Sequence, residues 1–151
     1  MKSQIRDRPP RTSLVDCIVF TPFHSEFAFM KHICGRVGIR MHHSSTLEQT
    51  DFLLIATEAS VVVFDAALVS RAWSCALRRI ADRYPLVAML VIADPLDPPL
   101  LQDASSLGVC GVIWKPVQLD TVSRLIRTAH QAWEDRRWLK EELAMATRVG
   151  Y

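Results

Sequence analysis

VVVFDAALV, residues Val61–Val69, is the stretch on which the reading of the fold turns. Four apolar residues, three of them β-branched, run without a polar break into one carboxylate, Asp65. A run this short and continuous reads as a strand buried on both faces, the kind that occupies the middle of a parallel sheet. The acid at its end is either a working group at the mouth of that strand or a structural remnant of one.

The same grammar repeats on both sides. LVDCIVF, Leu14–Phe20, and LVAMLVIA, Leu86–Ala93, are apolar strands, VCGVIW, Val109–Trp114, is a fifth, and IRMHH, Ile39–His43, is a short alternating one. Helical signals lie between them. Phe27, Met30, Ile33, Cys34 and Val37 recur at helical spacing after Ser25, a candidate N-cap, and Gly38 is a stop. Thr46–Ala59 holds a brief helix. Trp73, Leu77, Ile80 and Tyr84 share one helical face, with Arg71, Arg78, Arg79 and Arg83 largely on the other, before Pro85 ends the run. DPLDPP opens a short helix that ends near Leu107 and Gly108, and a long helix runs from about Leu119 to Met145. Five β-α units with continuous apolar strands imply a doubly wound α/β sandwich around a five-stranded parallel sheet. In such sheets function gathers at the carboxyl ends of the strands. The residues there are Thr21, Pro22, Asp65, Ala93, Asp94 and Lys115.

Composition narrows the class. Of 151 residues, 50% are hydrophobic and 23% charged, a globular profile, and the net charge of +2 is too small to argue for nucleic acid. No apolar run approaches the roughly 20 residues of a membrane span. The polar start MKSQIRDRPPRT has no apolar core, so residues 1–12 read as a disordered basic arm and not a signal peptide. Cys17, Cys34, Cys75 and Cys110 show no C-x-x-C spacing and each sits in an apolar stretch, so buried reduced thiols in a cytoplasmic protein are expected.

Asp65 at the end of the third strand and Lys115-Pro116 at the end of the fifth resemble the receiver domain of bacterial two-component response regulators, over roughly Leu14–Ala129. The resemblance implies a flavodoxin-like strand order 2-1-3-4-5. It implies a phosphoacceptor at Asp65, a lysine at Lys115 that contacts the phosphoryl oxygens, and a candidate cis proline at Pro116. The chemistry of phosphoryl transfer needs a metal and a lysine to neutralise charge on three oxygens. Mg²⁺ wants carboxylate oxygens. The family's acidic pair is replaced by Thr21 and Pro22, its hydroxyl residue by Ala93, and its switch aromatic by Val112, with Trp114 two positions on. No cofactor is therefore expected, Mg²⁺ entering only if Asp65 is phosphorylatable; Asp94 and Asp97 are the possible substitute acids. The structural alternative is an Asp65–Lys115 ion pair. Either way a non-enzymatic regulatory role follows from the resemblance.

The end of the chain, LGVCGVIWKPVQLDTVSRLIRTAHQAWEDRRWLKEELA, looks like the close of the degenerate receiver in ANTAR-type transcription antiterminators. There a pseudo-receiver leads into a coiled-coil helix and an RNA-binding domain. The chain ends at Tyr151, so RNA is a partner only if a further domain exists. Val122, Ala129, Arg136 and Leu143 repeat every seven residues, as do Leu125, Ala132, Leu139 and Ala146. Residues 13–129 are thus expected to form the receiver-like body. Residues 130–151 are expected to be a helical extension that dimerises as a parallel coiled coil, with Ala129, Ala132, Trp133, Leu139 and Leu143 on its seam. The expected partners are a second copy and a regulatory protein or kinase, with no membrane involved.

Other signals point to ordinary roles. His42 and His43 are adjacent on a strand and face opposite ways, so they cannot chelate together. His24 reads as a loop histidine, the alternative being a place beside Asp65. The arginine-rich helical faces are interleaved with acids and read as solvated. Neither a Walker motif nor G-x-G-x-x-G occurs.

Overall fold

The structure, a computed structural model, describes residues 14–67, 72–95 and 108–148. Five parallel strands, β1 (Val15–Phe20), β2 (Ile39–Ser44), β3 (Val61–Asp65), β4 (Ala88–Ala93) and β5 (Gly111–Trp114), form one sheet in the order β2-β1-β3-β4-β5. The described helices are α1 (His24–Gly35), α2 (Leu47–Thr57), α3 (Ala72–Arg83) and α4 (Leu119–Arg148). This is the doubly wound fold with a long C-terminal helix that the apolar strands imply. The N-terminal arm and the proline-rich segment after Pro95 lie outside the described residues.

Strand periodicity builds two cores. Val15, Cys17, Val19, Val61 and Val63 point to one face, where Phe27, Met30 and Cys34 of α1 and Val122, Ile126 and Ala129 of α4 cover them. Ile18, Phe20, Val62 and Phe64 point to the other, under Leu54 of α2 and Ala76, Leu77 and Ile80 of α3. β3 and β4 lie between neighbours on both sides and are buried at every residue, which is why they read as unbroken apolar runs.

Local chemistry sets the helix ends. Thr46 caps α2 by accepting from the Gln49 amide at 3.1 Å, while the Gln49 side chain accepts from Ser45 N at 2.8 Å. Ser25 is not a cap, contrary to expectation. The helix α1 starts two residues earlier than that cap implies, its cap position is Phe23, and no side chain bonds there. Gly38 adopts φ +79°, the left-handed turn that leads into β2.

Two further expectations fail. Cys17 and Cys34 are buried, but Cys75 and Cys110 are exposed. Cys75 sits on the outer face of α3, and Cys110 precedes a four-residue edge strand that little covers. The last helix runs on through residue 129 as expected, 30 residues and about 45 Å long, but the first part of the expected dimer seam does not hold. Ala129 is wholly buried on the sheet and Trp133 packs against the same core, so neither stands on a free seam. Ala132 is half-buried, whereas Leu139 and Leu143 are 61% and 64% exposed.

Candidate functional site

Parity and register assemble the site. Residues 15, 17 and 19 of β1, with Thr21 directly after it, alternate onto the α1 face, as do 61, 63 and 65 of β3, and Val19 lies beside Val63 in the parallel ladder. Thr21 and Asp65 therefore meet at the carboxyl edge. Ile113 of β5 faces the same side, so Lys115, two residues on, does too. The Lys115–Pro116 peptide is cis, as the family pattern implies.

Asp65 is completely buried, with both oxygens engaged. Thr21 Oγ1 donates to Oδ2 at 2.8 Å, and the Ala67 amide donates to Oδ1 at 2.9 Å. Lys115 Nζ stands 3.6 Å from Oδ1. Thr21 is itself buried and accepts the Phe23 amide at 3.1 Å, so its hydroxyl is held in one orientation.

The residue that sequence reasoning missed is Glu26. From the first turn of α1 it places Oε2 3.4 Å from Lys115 Nζ. Burial, together with the neighbouring Asp65 carboxylate, raises the Glu26 carboxyl above its ordinary range, and Lys115 only partly offsets them. The ammonium thus stands between two acids, over the Phe23 ring at 5.6 Å from its centre. A signal for Glu26 was present: it precedes Met30 by four residues and so shares the inward helical face.

The remaining candidates disperse. Asp94 is exposed at the end of β4, and Asp97 lies outside the described residues. His24 sits against His43 and Phe27, with ring centres 5.6 and 6.3 Å away, and is not a partner of Asp65. His43 stacks on Phe27 and bonds the Thr21 carbonyl through Nε2 at 2.9 Å, while His42 turns the other way to Asp16. Val112 packs into the α2–α3 core, and Trp114 is partly exposed on the same side of β5.

These residues do not fit a hydrated Mg²⁺. The ion needs oxygen ligands at about 2.0–2.1 Å and keeps several waters. Thr21 directs its hydroxyl hydrogen at Asp65, the Pro22 side chain carries no ligand atom where the family has a carboxylate, and Asp65 is closed to solvent. The cation held between the carboxylates is Lys115. The arrangement is a partly buried cluster of two acids and one ammonium, in which each Asp65 oxygen already accepts a hydrogen bond.

No family model matches the sequence, and neither does any curated protein. Solved structures share the fold. The signal receiver domain of an HD domain-containing protein from Pseudomonas fluorescens Pf-5 superposes with a TM-score of 0.74 at 18% identity, over 87% of this chain and 98% of that one. NtrX from Brucella abortus, solved with ADP, gives 0.72 at 19% identity over 91% of this chain. This chain spans only 30% of NtrX. A response regulator receiver domain protein from Clostridium thermocellum gives 0.71 at 19% identity, over 83% and 98% of the two chains. At these identities the likeness is one of fold.

Proposed function

We propose that this receiver-fold chain is a pseudo-receiver, a regulatory signalling domain that acts by protein–protein contact and carries no phosphoryl chemistry of its own. The reading rests on Asp65, fully buried, with each oxygen hydrogen-bonded and its lysine shared with Glu26. A phosphoacceptor needs a free carboxylate oxygen in line with the donor and a metal beside it. Here Thr21 and Lys115 take up those positions, and the ion cluster acts as a structural plug at the carboxyl edge of the sheet.

Dimerisation through α4 completes the proposal. From Asp135 onward the heptad positions Arg136, Leu139, Leu143 and Ala146 are exposed, past the last residues that cover the sheet. A parallel pairing aligns Leu139 and Leu143 with their copies and sets Asp135 opposite Lys140 of the second chain. The seam is thus shorter than the heptads alone imply and begins after Trp133. Regulation of cytoplasmic antitermination, with α4 leading to an RNA-binding segment, is the specific form that the resemblance of the chain's end favours.

The second reading is a phosphorylatable receiver. It is favoured by the retained Asp65–Lys115 contact. Incubation with acetyl phosphate and Mg²⁺, followed by intact-mass spectrometry, separates the two. The pseudo-receiver gives no phosphoryl adduct under conditions that label a conventional receiver. An adduct on the wild type that disappears in Asp65→Asn overturns the proposal.

A further inference from the structure

At the opposite end of the sheet a second polar cluster ties α4 to the body. Ser60, just before β3, and His130 of α4 are both buried. Ser60 Oγ lies 2.7 Å from His130 Nδ1, and His130 Nε2 lies 2.8 Å from Glu134 Oε1, one turn further along the helix. Trp133 stacks on the imidazole with ring centres 5.5 Å apart. Arg136, two residues beyond Glu134, reaches the Val87 carbonyl at 3.4 Å. These contacts sit where α4 stops covering the sheet and the exposed extension begins.

We infer that His130 is a proton-operated latch, holding the root of the C-terminal extension against the foot of the sheet while its ring is neutral. A neutral imidazole has one donor and one acceptor nitrogen. The Glu134 carboxylate can only accept, which places the hydrogen on Nε2 and leaves Nδ1 to accept the Ser60 hydroxyl. Every hydrogen-bonding group of the trio is then matched. A second proton on Nδ1 points at Ser60 Oγ, so the hydroxyl hydrogen must turn out of the pair and a charge is left in a buried site.

Charged groups face the ring from three sides. Glu134 on α4 and Asp16 on β1 favour the imidazolium, whereas Arg127, which also bonds the Val37 carbonyl, opposes it. Burial is the largest influence and holds His130 below its ordinary range. The sign follows. The folded value lies under the unfolded one of 6.5, so docking is fully supported above that pH and is lost as pH falls through the folded value. The latch is independent of how Asp65 is read.

The test is amide hydrogen exchange on the full chain at fixed concentration, at about pH 7.5 and about pH 5.5, spanning the ordinary histidine range. After correction for intrinsic rates, protection over residues 130–140 falls on acidification relative to β3 and β4. The fall is at most roughly tenfold, because pH 5.5 lies one unit below the ordinary imidazole value of 6.5. His130→Gln, which cannot titrate, removes the pH dependence. Glu134→Gln deletes an attractive charge and moves the transition to lower pH. The inference is overturned if wild-type protection does not change, if His130→Gln shows the same fall, or if the His130 ring titrates by NMR at or above its ordinary value. Should His130→Gln not fold, the NMR titration of wild type against Glu134→Gln decides.

Discussion

Asp65→Asn distinguishes a structural acid from one retained for chemistry. The carboxylate accepts from Thr21 at 2.8 Å and from Ala67 at 2.9 Å, and faces Lys115 at 3.6 Å, with no solvent access. Asparagine keeps one acceptor oxygen. Its amide must then face Thr21, the Ala67 amide or Lys115, and each presents a donor. Thr21 can accept the new amide on its second lone pair only by turning its hydroxyl hydrogen away from residue 65, which gives up the bond it now donates at 2.8 Å. The substitution therefore loses at least one charge-assisted hydrogen bond and leaves a buried donor poorly matched, a cost of about 2–3 kcal/mol. For a domain of this size that lowers Tm by about 4–12 °C. Thermal and urea denaturation followed by circular dichroism measure it, and an unchanged urea m-value shows that the denatured state is not the cause. A site kept for catalysis behaves in the opposite way, since functional acids are commonly held against stability. An unchanged or higher Tm in Asp65→Asn refutes the structural plug.

Three other outcomes follow from the same geometry. Glu26 is raised above the usual 4.5 by burial and the neighbouring Asp65, so stability declines as pH rises through the window between 4.5 and its folded value; Glu26→Gln flattens that slope, and urea midpoints across the window measure it. In native protein at mildly alkaline pH, Cys75 and Cys110 react with a thiol reagent while Cys17 and Cys34 do not, because burial pushes Cys34 up to about 11 and Cys17 further; denaturant releases all four, and fast native labelling of Cys34 contradicts the packing of α1. Leu139→Lys with Leu143→Lys converts a dimer to a monomer in sedimentation while moving the stability of the body by only about 0.5 kcal/mol per site, and a wild type that sediments as a monomer at tens of micromolar removes the α4 interface.

The strands were legible because central parallel strands leave a blunt trace: β3 and β4 have no polar face to interrupt them. The strand ends placed Thr21, Asp65 and Lys115 along one edge of the sheet, but the Thr21–Asp65 hydrogen bond came only with the structure. Glu26 escaped because attention to strand ends passes over the first helical turn, although its spacing from Met30 was readable. The cysteines were misjudged for a different reason. An apolar neighbourhood in sequence predicts burial only where both flanking elements cover the residue, and neither the outer face of α3 nor the approach to β5 is covered.

The heptad pattern in α4 shows how one periodicity serves two partners in turn. Apolar residues every three or four positions signal a helix face that is covered, without saying by what. Val122, Ile126 and Ala129 are covered by the sheet, and the same stripe continues past its edge to Leu139 and Leu143, which face solvent. The change of partner falls between residues 129 and 136, where the stripe contains His130, Trp133 and Arg136 and where polar contacts to Ser60 and Val87 replace apolar ones. Hydrogen bonds are directional and titratable where apolar contact is neither, so this is the part of α4 whose attachment responds to conditions. With the carboxyl edge of the sheet closed by Lys115, the extension is the element best placed to change its exposure, and with it the face offered to a second chain.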